Sequence, residues 1–294
     1  MRVTDAMRIN TALQAENNVS LQMSKVSQMA SSGLRVSAPS DDPAAYASIT
    51  ERAAQMGVIQ GRSSAASRAA EDLNLAESTL DSADNILVQI RQIAVEQANG
   101  TQDATSRANA SAQVASLRQQ LLALANTQGS NGYLFGGTKT ATPPFDSSGV
   151  FSGNGNLTHV EIADGVLAVS NASGANAFTS AGGEDVFADV QNLVTALSNN
   201  DVSGVQASLT TLDASRAQVD SARIDAGLSA QRLTAAGTVM SSALTQLQVA
   251  QTSEQDADAP TTLSNLQETQ TAFEESLQVT KQILSVSLAT ANIG

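Results

Sequence analysis

Residues 33–46, GLRVSAPSDDPAAY, decide how the chain is read, because they interrupt a helical pattern and then restart it. Before them, Ile9, Ala12, Glu16, Val19, Met23, Val26 and Ala30 recur in steps of three and four. That is the spacing of a coiled-coil seam, with Glu16 its only charged member. Ser32-Gly33 ends the pattern, as a glycine after the last periodic residue does. Pro39 pushes Ala38 toward an extended conformation. Asp42 then suits an N-cap, and Pro43 suits the first helical position, where its missing N–H costs nothing. Asp41 adds negative charge beside the positive end of the new helix. Gly33, Arg35, Pro39, Asp41, Asp42 and Pro43 therefore read as an inter-domain turn: stop, extended crossing, restart.

Downstream, the helical pattern resumes to Asn99-Gly100, with Leu73, Ala76, Leu80, Ala83, Leu87, Ile90 and Ala94 as its apolar stripe. At 1.5 Å per residue an unbroken helix of this length spans about 80 Å, and Gly57 and Gly61 mark the place for a break or kink. A further helix fits 103–127, with Val114, Leu117, Leu121 and Leu124. Between 131 and 183 glycines become frequent, and Val160 and Ile162 alternate with His159 and Glu161 ahead of Asp164-Gly165. These are the marks of a hairpin in a β-rich insertion whose glycines suggest turns rather than core. Helix returns at about 184–198. A seven-residue repeat follows, with Val205, Leu212, Val219, Ala226, Leu233, Met240 and Leu247 as one seam position. The other is always small: Ser208, Ser215, Ala222, Ser229, Ala236, Ala243 and Ala250. Small residues at one seam position let a partner helix approach closely. Residues 254–260, EQDADAP, interrupt this pattern, and a last helix fits 261–291.

The layout predicts a mainly α fold, an elongated antiparallel helical coiled-coil rod with a small β-rich inserted domain. The expected division is 1–33 with 253–294 as terminal coiled-coil helices, 34–130 with 184–252 as the helical rod, and 131–183 as the β-rich domain. The long segments have partners within the chain. The terminal pair is thin and aromatic-poor, so it reads as ordering when copies stack. Its expected assembly seam is Ile9, Val19, Met23 and Val26 on one side and Leu263, Leu266, Phe273, Leu277 and Leu284 on the other.

Composition argues against several function classes. The 294 residues carry 15 basic and 28 acidic side chains, a formal net charge of −13, which disfavours nucleic acid as a partner. The absence of cysteine removes disulfides, zinc-thiolate sites and cysteine nucleophiles. No apolar run suits membrane insertion, and the N-terminus lacks the h-region of a secretory signal peptide. No catalytic, cofactor or metal constellation emerges. His159, the one histidine, reads as an ordinary strand residue. GYLFGGTK at 132–139 reads as a glycine-rich turn rather than a phosphate loop, because no helix start follows its lysine. Asp256 and Asp258 read as a solvated acidic linker, since the glycine and distal glutamate of a calcium loop are missing.

Four segments resemble the bacterial flagellar axial proteins. Ser32 to Pro43 is similar to the family's S-G-x-R-V-x-x-P-S-D-D-P turn. Gly132 to Phe145 resembles the entry into the family's β domain, and Val160 to Gly165 a segment inside it. Leu263 to Leu277 resembles the C-terminal helix, continuing to Leu288, whereas Ala289 to Gly294 departs from the family's usual ends. The matches run in order along the whole chain. Asn85 to Thr101 is also similar to a flagellin rod segment known for innate-receptor contact, with Arg91 in place but Gln89 where a second arginine usually stands. The resemblance implies a structural, non-enzymatic protein of the bacterial flagellum, secreted through flagellar type III export with an export chaperone. It implies self-assembly into a helical ring between an adjoining hook-associated protein and the flagellin filament, with terminal helices in the inner tube and no cofactor. A flagellin filament subunit is the alternative. A cytoplasmic signalling coiled coil is more distant, because it has no place for the glycine-rich insertion.

Overall fold

The computed structural model describes residues 2–291, and the side chains of 6–286. Parts of the expected terminal domains, Met1 and residues 292–294 of the departing C-terminal end, lie outside the described residues, as do the side chains of the last stretch of the C-terminal helix, including Leu288. The elements follow in order: α1 Arg2–Ser32, α2 Pro43–Gln97, α3 Ala104–Ala125, β1 Gln128–Gly129, β2 Gly132–Tyr133, β3 His159–Ala163, β4 Val166–Val169, α4 Gly174–Phe178, α5 Val186–Ser198, α6 Val202–Gln255 and α7 Ala259–Ala291. Among the described residues the chain is mainly α, with two small two-stranded antiparallel sheets. It divides into two compact units, 1–57 with 244–294, and 58–243.

In the first unit α1 packs along α7. The expected α1 stripe faces the seam: Ile9, Ala12, Val19, Met23, Val26 and Ala30 are all half-buried, and Glu16 takes its place among them. None of these residues is fully buried, as expected of two helices meeting without a third layer. A small separate cluster of Val36, Ala45 and Ile49, with Tyr46 against it, lies at the start of α2.

The second unit holds the large core. Leu73, Ala76, Leu80, Ala83, Leu87, Ile90 and Ala94 of α2 are buried, together with Val205, Leu212, Val219, Ala226, Leu233 and Met240 of α6. The two segments run antiparallel, as the staggered ion pairs Arg91–Asp213, Asp84–Arg216 and Asp81–Arg223 show. The break considered at Gly57 and Gly61 does not occur: α2 is one helix of 55 residues. Both glycines have open space where a Cβ would sit, so neither marks a close approach that would force a bend. Asp103 caps α3 by accepting from the Ser106 N–H, and Asp185 caps α5 by accepting from Ala188. At the end of α3 the buried position is Ala125, and Leu124 is only partly covered.

Arg107, 3% exposed, had no signal in the sequence pattern. Its guanidinium donates to the carbonyls of Gln97 and Asn99, which end α2, and to the side chain of Asn200, just past α5. A cation among carbonyls at helix C-termini is favourably placed against the dipole. Ser215 donates to Asp189 at 2.7 Å across the α5–α6 contact. Burial pushes the Asp189 carboxyl above its ordinary value, and the Ser215 hydrogen bond acts against that shift.

The insertion differs most from expectation. Few of its residues are strand, and it is not a set of turns outside the core. Phe135, Phe145, Ala168, Ala172, Ala177 and Phe178 belong to the same buried cluster as the long helices. The chain has six phenylalanines, and five of them meet here: Phe145 lies 5.0 Å from Phe151, 5.6 Å from Phe178 and 5.1 Å from Phe187, and Phe135 meets Phe178 edge-on at 5.5 Å. Edge-on and tilted pairs suit the ring quadrupole and add to the burial gain. The β3–β4 hairpin is as expected around Asp164-Gly165, and Arg62 of α2 ties it down through Glu161 at 3.0 Å and Asp164 at 2.8 Å. His159 is an exposed strand residue paired with Val169, and Lys139 donates to the Ser152 carbonyl.

Candidate functional site

The two helix breaks, 33–42 and 256–258, meet within the first unit. Gly33 follows α1 with φ +73°, a left-handed conformation that costs glycine nothing and other residues about 1 kcal/mol or more. Its N–H closes the last turn on the Met29 carbonyl at 2.9 Å. Its own carbonyl accepts from Ala257 N at 2.9 Å, while Arg35 N and Val36 N donate to the Gln255 carbonyl at 2.7 and 3.2 Å. Leu34 and Asp256 thus form a short antiparallel bridge.

Arg35 joins three pieces of chain. One guanidinium nitrogen donates to the Glu254 carbonyl at 2.7 Å, near the C-terminus of α6, and another to Asp42 at 3.2 Å, at the start of α2. Asp42 is the N-cap, as expected: its other carboxylate oxygen accepts from Ala45 N at 3.1 Å. Pro39 occupies the second place of a β-turn closed by Asp41 N donating to the Ala38 carbonyl. Asp41 does more than add charge. One of its oxygens accepts from Ser37 N, Ser37 Oγ and Ala38 N, all at 3.1 Å, and the other faces Lys25 of α1 at 3.6 Å. Pro43 begins α2. All six turn residues are therefore brought together in one crossing.

Carboxylates in this crossing sit below their ordinary values for identifiable reasons. The Ser37 and Ala38 N–H groups hold Asp41 down, and the Ala45 N–H, followed by Arg35, holds Asp42 down. Glu254 is held down chiefly by Arg52, with Ser48 Oγ donating to the same carboxylate at 3.1 Å. Asp258 is held down by Thr261 N, which donates to it at 2.8 Å as α7 begins. This revises the reading of Asp256 and Asp258 as a solvated acidic linker: Asp258 is a helix cap, and the neighbouring Glu254 is an ion-pair partner. Glu254, Arg52 and Ser48 had no local signal, because their partners lie about two hundred residues away.

The expected α7 seam divides. Leu266, Phe273 and Leu277 are half-buried, but Leu263 is 56% and Leu284 41% exposed. The residues turned inward are Thr262, Leu266, Thr269, Ala272, Phe273, Ser276, Leu277, Thr280 and Ile283. One seam position is as expected, and at the other Thr262 and Ile283 turn inward in place of the leucines that follow them. The displaced leucines join Val279 and Val286 as exposed apolar groups, and α1 likewise exposes Met7 at 69% and Leu21 at 70%.

No helix among the described residues is long and apolar enough to cross a membrane. Comparison with known proteins now bears on this arrangement. Residues 3–140 match the bacterial flagellin N-terminal helical region. Flagellar hook-associated protein 3 of Salmonella typhimurium is 32% identical over 153 residues, 48% of this chain and 47% of that protein. Its Escherichia coli namesake is 33% identical over 150 residues, 49% of this chain and 46% of that protein. The matches span about half the length of these curated relatives. A solved Vibrio parahaemolyticus structure, provisionally named a flagellar hook-associated protein, is 25% identical with a TM-score of 0.67, covering 73% of this chain and 99% of that one. Residues 3–140 are thus similar to the bacterial flagellin N-terminal helical region, in a chain that resembles flagellar hook-associated protein 3 in sequence and a flagellar hook-associated structure in fold.

Proposed function

We propose that this protein is a structural subunit of the bacterial flagellum, forming the junction between an adjoining hook-associated protein and the flagellin filament. The observation that carries the proposal is the α1–α7 pair, half-buried along its seam yet exposing Met7, Leu21, Leu263 and Leu284. Apolar groups left outside a two-helix pair invite a further layer. A self-assembled ring of copies supplies that layer, with α1 and α7 toward the inner tube. The three-part division at 33/34, 130/131, 183/184 and 252/253 belongs to this proposal, as do export through the flagellar type III apparatus, an export chaperone and an extracellular location.

A test uses Phe273→Ser in a strain deleted for the protein. Phe273 is half-buried and gains further cover in the proposed ring, and full burial of such a side chain contributes about 1.5–3 kcal/mol. The expected result is lost junction formation, flagellin released into the medium, no swimming, and little change in monomer melting. Normal swimming, or a large loss of monomer stability, overturns the proposal. A flagellin filament subunit is the second reading, favoured by the match over residues 3–140. Immuno-electron microscopy separates the two: a short band near the hook supports the junction, and label along the whole filament supports flagellin.

A further inference from the structure

A cleft of about 440 Å³ lies within the second unit, between α2 and the loops around β2 and β3. Its volume falls within the roughly 300–1,000 Å³ typical of small-molecule sites. Its floor is apolar, made by Ala65, Ala69, Leu134 and Ala172, and its rim carries Arg68, Asp72, Asn131, Tyr133 and Thr140. The wall is held firmly. Asp72 accepts from Ser130 N at 2.8 Å and Ser130 Oγ at 2.7 Å, and a Cβ on Gly129 would collide with that carboxylate. On the other side Thr158 and Ser170 share a hydroxyl hydrogen bond at 2.9 Å, and Asn171 accepts from Thr158 N at 2.8 Å.

The rim has spare capacity. Among the described residues Arg68, like Arg232, has no hydrogen-bond or ion-pair partner, whereas Arg62, Arg91, Arg107, Arg118, Arg216 and Arg223 of the same unit are engaged. Arg68 offers donors, Asp72 has lone pairs remaining beyond its two bonds, and Asn131 offers both. Tyr133 supplies a ring with a polar tip.

We propose that this cleft binds a neutral saccharide. One cation opposed by one carboxylate gives no net charge for phosphate, whose sites gather several cations or converging amides. A purely apolar ligand would leave the amide and hydroxyl rim unpaired, which is costly. A sugar carries C–H faces that suit the alanine floor and the tyrosine ring. Its adjacent hydroxyls suit a carboxylate that accepts beside a guanidinium that donates.

The experiment is saturation-transfer NMR on the full chain with maltose, cellobiose and chitobiose, followed by amide shift mapping. At least one disaccharide is expected to receive saturation and to move the amides of Gly132, Tyr133 and Thr140. Arg68→Ala and Tyr133→Leu are each expected to weaken that binding at least tenfold. Arg68 is exposed, so its variant keeps the fold, and an unchanged melting curve verifies this. Three results overturn the proposal: no transfer to any of the three sugars, binding indifferent to both variants, or the same amides responding instead to inorganic phosphate or an acidic peptide.

Discussion

The two units solve the problem of stability in opposite ways. Unit 58–243 concentrates five phenylalanines and the buried stripes of α2 and α6 into one continuous core. Unit 1–57 with 244–294 has a half-buried helix pair, a cluster of Val36, Ala45 and Ile49, and a crossing held by hydrogen bonds and ion pairs. Apolar burial contributes about 25 cal/mol per Å² removed from water, whereas exposed ion pairs contribute about 0–1 kcal/mol each. The first unit therefore draws less on apolar burial, and it keeps exposed apolar side chains such as Met7, Leu21 and Leu263.

The sharpest test of the contrast is in the phenylalanine cluster. Phe178 is fully buried and meets Phe135, Phe145 and Phe187. Phe178→Ala is expected to cost about 3–5 kcal/mol, read as a lower denaturation midpoint and faster amide exchange in α3 and α5. A cost under about 1 kcal/mol would mean that the insertion lies outside the core after all.

The crossing should respond more weakly. Asp42→Ala removes the N-cap of α2 and one end of the Arg35 bridge, with an expected cost of about 1 kcal/mol. Exchange should rise at Ala45 and Tyr46 and leave Leu87 unaffected. Equal acceleration in both units would show that they unfold together and erase the comparison.

Acid separates the same features. Asp41, Asp42, Glu254 and Asp258 have folded values below their ordinary ones, so their contribution is complete above the ordinary carboxylate range. It is lost as pH falls through that range to the depressed folded values. Asp189 behaves in reverse. Its folded value is raised, so its ionised form costs stability above that value, and the cost is relieved as pH falls toward the ordinary one. Amide exchange at Ser37, Ala38 and Ala45 should therefore quicken on acidification before that at Ser215. The opposite order would break the assignment.

The smallest expected effect is in the monomer carrying Leu263→Ser and Leu284→Ser together. Both side chains are exposed, so monomer stability should stay within about 0.5 kcal/mol per site. Swimming should nevertheless be impaired if these leucines are covered in the assembly. Unimpaired swimming would remove them from the proposed seam.

Local and periodic features were legible in the residues themselves. The cap at Asp42 needs only a side-chain oxygen beside free amides, and the seven-residue stripe from Val205 to Met240 needs only a helix of regular pitch. Gly33, Pro39 and Pro43 mark the crossing because backbone sterics allow them few alternatives. The drift of the α7 seam was not legible: Leu263 and Thr262 are neighbours on a helix, and only the position of α1 decides which turns inward. Nor was the buried role of Arg107, whose partners Gln97, Asn99 and Asn200 come from separate helix ends. The insertion shows the same division. Its glycines and hairpin dipeptide announced turns, but the convergence of Phe135, Phe145, Phe151, Phe178 and Phe187 depends on contacts between residues far apart in the chain, and no local pattern encodes those contacts. Local chemistry thus determined where helices stop and start, and long-range packing determined which faces they bury.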